Sequence, residues 1–150
     1  MKLLLFAPFA LLLTTLSACG GDSDGSYESF SRDLCKASSG LQAGIQKAVK
    51  DASTNSDPNK AIETIADPID AFVKAFDNGD PPKNLKAWHA QSAKDLKQAA
   101  ETFRKQKDFT ALSGFGDSPV PDPPSSEKQK LRDAAKNLTE CDGVVFLKPN

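Results

Sequence analysis

The sequence predicts an all-α protein, a four-helix up-and-down bundle. Apolar residues recur at intervals of three and four along four separate stretches. Polar, Gly-rich or Pro-rich segments separate those stretches. Strand signals are absent, because β-branched residues are sparse and no polar/apolar alternation persists.

The first helix opens at Ser26, an N-cap residue, and carries Phe30, Leu34, Ala37, Leu41, Ile45 and Ala48 on one face. It closes in the polar run Asp51–Ser56. Asp57-Pro58 starts the second helix, with Asp as cap and Pro at the first helical position. Ile62, Ile65, Ile69, Phe72 and Phe76 form its stripe, and Asn78-Gly79 ends it. Asp67-Pro68 inside this stretch means either a kinked helix or a stop and restart capped by Asp67. Asp80-Pro81-Pro82 opens the third helix, where Leu85, His89, Ser92, Leu96, Ala99 and Phe103 keep a heptad-like spacing with Trp88 on the flank. A helix of about 25 residues is a rod of roughly 38 Å. The segment from Phe109 to Pro124, with two glycines and four prolines, is a long connection; Phe109, Leu112 and Phe115 cap the core or meet a partner. Ser125-Ser126 caps a fourth helix with Leu131, Ala134, Leu138 and Cys141 in register. The apolar tail Val144–Leu147 is expected beside Tyr27 and Phe30.

At 150 residues, with 39% apolar and 26% charged side chains, the chain amounts to one ordinary globular domain. A core of that size folds without needing disulfides. Nineteen basic residues against twenty acidic ones give no basic excess, which argues against a nucleic-acid partner. Charge is instead divided between neighbours. Positions 57–80 carry six acids and two lysines, and positions 83–108 carry seven bases and three acids. Antiparallel neighbours of opposite charge attract, which helps to fix their pairing.

The N-terminus reads as an address. Met1-Lys2 is followed by an apolar run from Leu3 to Leu13, too short to span a bilayer comfortably and typical of a signal peptide. The run leads into Leu16-Ser17-Ala18-Cys19, which resembles the lipobox of bacterial lipoproteins. The resemblance implies cleavage after residue 18, a diacylglyceryl group on the Cys19 thiol and acylation of the new amino terminus. Two or more acyl chains anchor a protein stably without a transmembrane helix. The implied location is the outer face of the plasma membrane, or the outer membrane where the cell has one, since Gly20 and not Asp follows the Cys. Residues 19–25 then form a lipidated polar tether whose six residues after Cys19 span only about 13–15 Å on average, and the bundle domain occupies 26–147.

With Cys19 lipidated, Cys35 and Cys141 remain. In an exported domain they are expected to form a disulfide, joining the N- and C-terminal ends of the bundle. Neither has a second Cys or a His at metal-ligand spacing.

Catalytic and metal chemistry finds no support. His89 is the only histidine, which excludes His-pair zinc motifs, and no phosphate-binding Gly-rich loop or nucleophile elbow occurs. Asp51–Asp57 spaces oxygen ligands like a calcium loop, but Gly is missing at its sixth position and Ile62 stands where Glu belongs. No catalytic residue, metal site or cofactor is assigned. The expected function is a membrane-anchored envelope lipoprotein, non-enzymatic, whose bundle is an interaction or structural module for an envelope protein partner. The alternative is a carrier with a small-ligand or metal pocket in the bundle core near Trp88 and His89, a pair that otherwise belongs to the core.

Overall fold

The computed structural model describes residues 24–53, 58–107 and 118–147. The expected signal peptide, Cys19, Asp57 and the Phe109–Phe115 cluster lie outside them, as does most of the calcium-like loop. Ser26 opens α1 (Tyr27–Ser53) as expected. Its Oγ accepts the Ser29 N–H at 3.0 Å, and the Ser29 Oγ accepts the Ser26 N–H at 3.2 Å. This is a reciprocal cap in which Ser takes the place usually held by Glu or Gln.

The second helix, α2 (Pro58–Asp77), begins on Pro58 and runs through Pro68 as one element. Of the two alternatives, restart at Asp67 is therefore not the one adopted. The third begins later than Asp80. Asp80 and Pro81 each precede a proline, which drives a residue out of the helical region, and Pro82 is itself extended at φ −54° and ψ 150°. A 3-10 turn at Lys83–Leu85 follows, and α3 (Lys86–Gln106) spans 21 residues, about 32 Å. It ends on Lys107, which adopts φ 51° and returns its N–H to the Phe103 carbonyl, a left-handed cap.

The fourth helix, α4 (Ser125–Ala135), is short. Its cap position is Pro124, and Ser125 and Ser126 lie inside its first turn instead of capping it. Leu138 and Cys141 fall beyond its end, Cys141 in a 3-10 turn at Thr139–Cys141. A further 3-10 turn at Val145–Leu147 completes the described chain.

The architecture is an all-α bundle of four helices, with no strand among the described residues. Contacts between named residues give the directions. Phe30 meets Phe76, and Gly44 meets Pro68, so α1 and α2 are antiparallel. Phe76 meets His89, and Asp70 meets Arg104, so α2 and α3 are antiparallel. Tyr27 bonds Glu127, and Ser31 bonds the Leu131 carbonyl, so α4 runs parallel to α1. The up-and-down alternation thus holds for the first three helices, and α4 rises alongside α1 and α3. The chain leaves α3 at Lys107 and reappears at Ser118–Pro124 beside the start of α3.

α1 lies between α2 and α4, and α3 packs along α2. Leu34, Ile69, Phe72, Leu96, Phe103 and Leu131 are among the residues that close the core. Val144 and Leu147 are buried too. They sit at the C-terminal end of α4, where Leu147 shares a groove with Ala135 and Leu138. The expected place beside Tyr27 and Phe30 is at the other end of α4, because the parallel course carries the tail away from the start of α1.

Candidate functional site

The most elaborated region is the end of the bundle where the described chain begins. Asp24 pairs with Lys86 at 2.6 Å. Gly25 lies so close to the backbone of Asp80 that a Cβ there would stand 1.7 Å from the Asp80 carbonyl oxygen. Only glycine fits that approach. At Tyr27 the phenol donates to Glu127 Oε2, while Lys130 Nζ donates to Glu127 Oε1 at 3.0 Å and stands 5.4 Å from the centre of the Tyr27 ring. Three successive contacts thus fasten residues 24–27 to the start of α3, to the α2–α3 connection and to α4.

Glu127 is 8% exposed, so its charge must be satisfied locally. The Tyr27 hydroxyl, then the Lys130 ammonium, hold its carboxyl below the usual range against the cost of burial. The same bond, with burial, pushes the Tyr27 phenol up, and Glu127 raises Lys130. Glu127 also stands in the first turn of α4, where the helix dipole favours an anion.

Next to this cluster lie Trp88 and His89. His89 Nε2 is 2.7 Å from the Phe76 carbonyl oxygen. A carbonyl only accepts, so Nε2 carries the proton. The imidazole lies against the Phe76 ring at 4.7 Å and meets the Phe30 ring nearly edge-on at 5.6 Å. Trp88 stands edge-on to Phe30 and Phe76 at 6.4 and 5.9 Å, and its Nε1–H donates to the Pro121 carbonyl at 3.2 Å. An Nε-bound hydrogen of each ring is thus engaged by backbone. The adjoining space, lined in part by Phe30, Phe76 and Gly79, amounts to about 10 Å³. Trp88 also pins the Ser118–Pro124 segment, of which Pro119, Val120 and Pro123 are buried.

Cys35 and Cys141 form a disulfide, with Cα atoms 4.9 Å apart across a sequence separation of 106. It ties the first third of α1 to the turn after α4. Arg32 and Lys36 reach Glu140 at 3.5 and 3.9 Å, and Ser39 donates to the Glu140 carbonyl at 3.5 Å.

The opposite charges of α2 and α3 meet as expected. Lys97 pairs with Asp77 at 2.8 Å, and Arg104 Nε bonds Asp70 at 2.8 Å while its other nitrogen reaches Asp67. Asp70 holds the Arg104 guanidinium above its ordinary value.

Among the described residues, no group of three His, Cys, Asp or Glu side chains is placed to hold a metal ion, and no helix is long and apolar enough to cross a membrane. Glu127 escaped the sequence reading. Its one signal is an acid in a first helical turn, and its burial follows only from the parallel pairing of α1 with α4. Comparison with known families, curated proteins and solved structures returns no match for this chain.

Proposed function

We propose that this chain is a bacterial envelope lipoprotein, anchored by acyl chains on Cys19, whose bundle serves as a non-enzymatic interaction or structural module. The observation that carries the reading is Leu16-Ser17-Ala18-Cys19 at the end of a short apolar run. The fastening of residues 24–27 fits it, because a pull on the anchor is then passed to three helices and not to a fraying terminus.

The same fastening orients the domain in this reading. From Cys19 to Asp24 the chain extends no more than about 18 Å. The end bearing the N-termini of α1, α3 and α4 therefore faces the bilayer, and the C-terminal end of α1 faces away. With 27 residues in α1, that end stands about 40 Å further out, on the face that this reading leaves open to an envelope partner. The backbone-bonded, ring-packed state of Trp88 and His89 favours a scaffold over a carrier.

Cell fractionation of the full chain and of Cys19→Ala tests the anchor. The reading expects the first in the membrane fraction, cut before Cys19, and the second either released when it is cut or left uncut with its apolar leader still attached. A Cys19→Ala chain that is cut and still retained in the membrane as firmly as the wild type contradicts it.

A further inference from the structure

The two residues of the disulfide differ in exposure, although both belong to the core and Cys141 Sγ lies 3.9 Å from the Ser31 carbonyl oxygen. Cys35 is fully enclosed, at 0% exposure, whereas Cys141 retains 9% and lines a surface groove of about 400 Å³. The groove is walled by Ala135, Leu138 and Leu147 and by the Asp142-Gly143 turn. Gly143 adopts φ +93° with open space around its missing Cβ, so the turn forms without a side chain projecting into the approach. Thiol–disulfide exchange proceeds by in-line attack on one sulfur, and access decides which sulfur is attacked. A partner thiol in the groove lies on the Cys141 side of the bond. Attack on Cys35 would have to come through the packed face of α1.

We infer that Cys141 is the exchange site of this protein: it forms the mixed disulfide with a disulfide-bearing oxidant docked in the groove, and Cys35 resolves it. In the first step the Cys141 thiolate attacks one sulfur of the oxidant, a bond forms between them, and the other oxidant sulfur leaves as a thiolate. In the second the Cys35 thiolate attacks Cys141 Sγ, closing the protein disulfide and releasing the remaining oxidant sulfur. Two protein thiols are oxidised, one oxidant disulfide is reduced, and the two protons lost by the protein reside on the two released thiols. The close approach of the two Cα atoms makes the second step intramolecular, and it requires α4 to have docked beside α1 first. The enclosed Cys35 is thereby kept from pairing with a second molecule.

By microscopic reversibility, the same mixed disulfide appears when the folded, oxidised protein meets a reducing thiol. Wild-type protein is exposed to glutathione under native conditions, quenched with acid, and digested for peptide mass spectrometry. Glutathione on Cys141 with a free thiol at Cys35 is the expected result. Adducts on Cys35, equal adducts on both, or none where the denatured protein reacts would overturn the inference. Only the Cys35 and Cys141 peptides are read, so the outcome does not depend on the state of Cys19.

A second measurement uses single variants. Cys141 in Cys35→Ala is expected to react with glutathione disulfide faster than Cys35 in Cys141→Ala, by on the order of tenfold or more; equal rates overturn the assignment. Offering Cys35→Ala an oxidised thioredoxin-fold oxidoreductase alongside glutathione disulfide separates the two sources of oxidant. Capture of either at Cys141 supports the site, and the faster one identifies the source.

Discussion

Gly44 of α1 lies directly against Pro68 of α2. A Cβ added at Gly44 would stand 2.4 Å from the Pro68 Cβ and 3.2 Å from its Cγ. This contact explains how α2 carries a proline in its interior. Pro68 forfeits a backbone bond, and its ring fills the space that a glycine in the facing helix leaves open. Gly44→Ala is therefore expected to push the two helices apart and cost about 1–3 kcal/mol. Urea midpoints of the wild type and variant, with unchanged slopes, measure it; an unchanged midpoint would mean the helices part freely at this point.

The Tyr27–Glu127 bond predicts a stability profile with two limbs. Glu127 has a lowered folded-state value, so its contribution is present above the ordinary Glu value of about 4.3 and is lost as pH falls through the lowered one. Tyr27 has a raised value, so its contribution is present below about 10 and is lost as pH rises through the raised value. Tyr27→Phe is expected to lower stability at neutral pH and to flatten both limbs. Asp133, lowered by Lys136 and Gln129, retains part of the acid limb. Urea midpoints from pH 3 to pH 11 decide it, and parallel curves for the two proteins would refute the coupling.

Removing the disulfide tests the closure of the bundle. Its loop of roughly 100 residues is worth about 4–5 kcal/mol in the chain-entropy model. Cys35→Ala/Cys141→Ala is expected to lose about that much in denaturant titration while keeping its helical circular dichroism. A loss under about 1 kcal/mol would show that the denatured chain is already held near the native closure.

The ion pairs between α2 and α3 have a different weight. Lys97, Arg104 and their partners are each about two-fifths or more exposed at the side chain, and pairs of that kind contribute roughly 0–1 kcal/mol. Arg104→Ala is expected to fall in that range, whereas Phe72→Ala, deep in the core at 2% exposure, is expected to cost about 3–5 kcal/mol. Calorimetric midpoints rank the two; a larger effect at Arg104 would mean the pairing is electrostatic before it is apolar.

The helices, the Ser26 cap, the Pro58 start, the Cys35–Cys141 bridge and the charge match of α2 with α3 were all legible in residue order. Each depends on neighbours in sequence or on a choice among very few partners. The course of α4 was not. Periodicity shows that Leu131, Leu138 and Cys141 share an apolar character, but it does not say whether the backbone between them stays helical. With Ser31 beside Leu131, a helix continued to Cys141 would carry that residue about 9 Å beyond the point level with Cys35. The chain instead leaves the helix after Ala135 and turns back. The place of the apolar tail follows from that turn and the burial of Glu127 from the parallel pairing, and neither burial has a local signature.

The most direct test of the lipoprotein reading is the intact mass of the protein extracted from its own membranes. The account predicts a chain that begins at Cys19, carries a diacylglyceryl thioether with or without an acylated amino terminus, and is two hydrogens lighter for the Cys35–Cys141 bond. A chain with an unmodified Cys19, or one cut elsewhere, would contradict it.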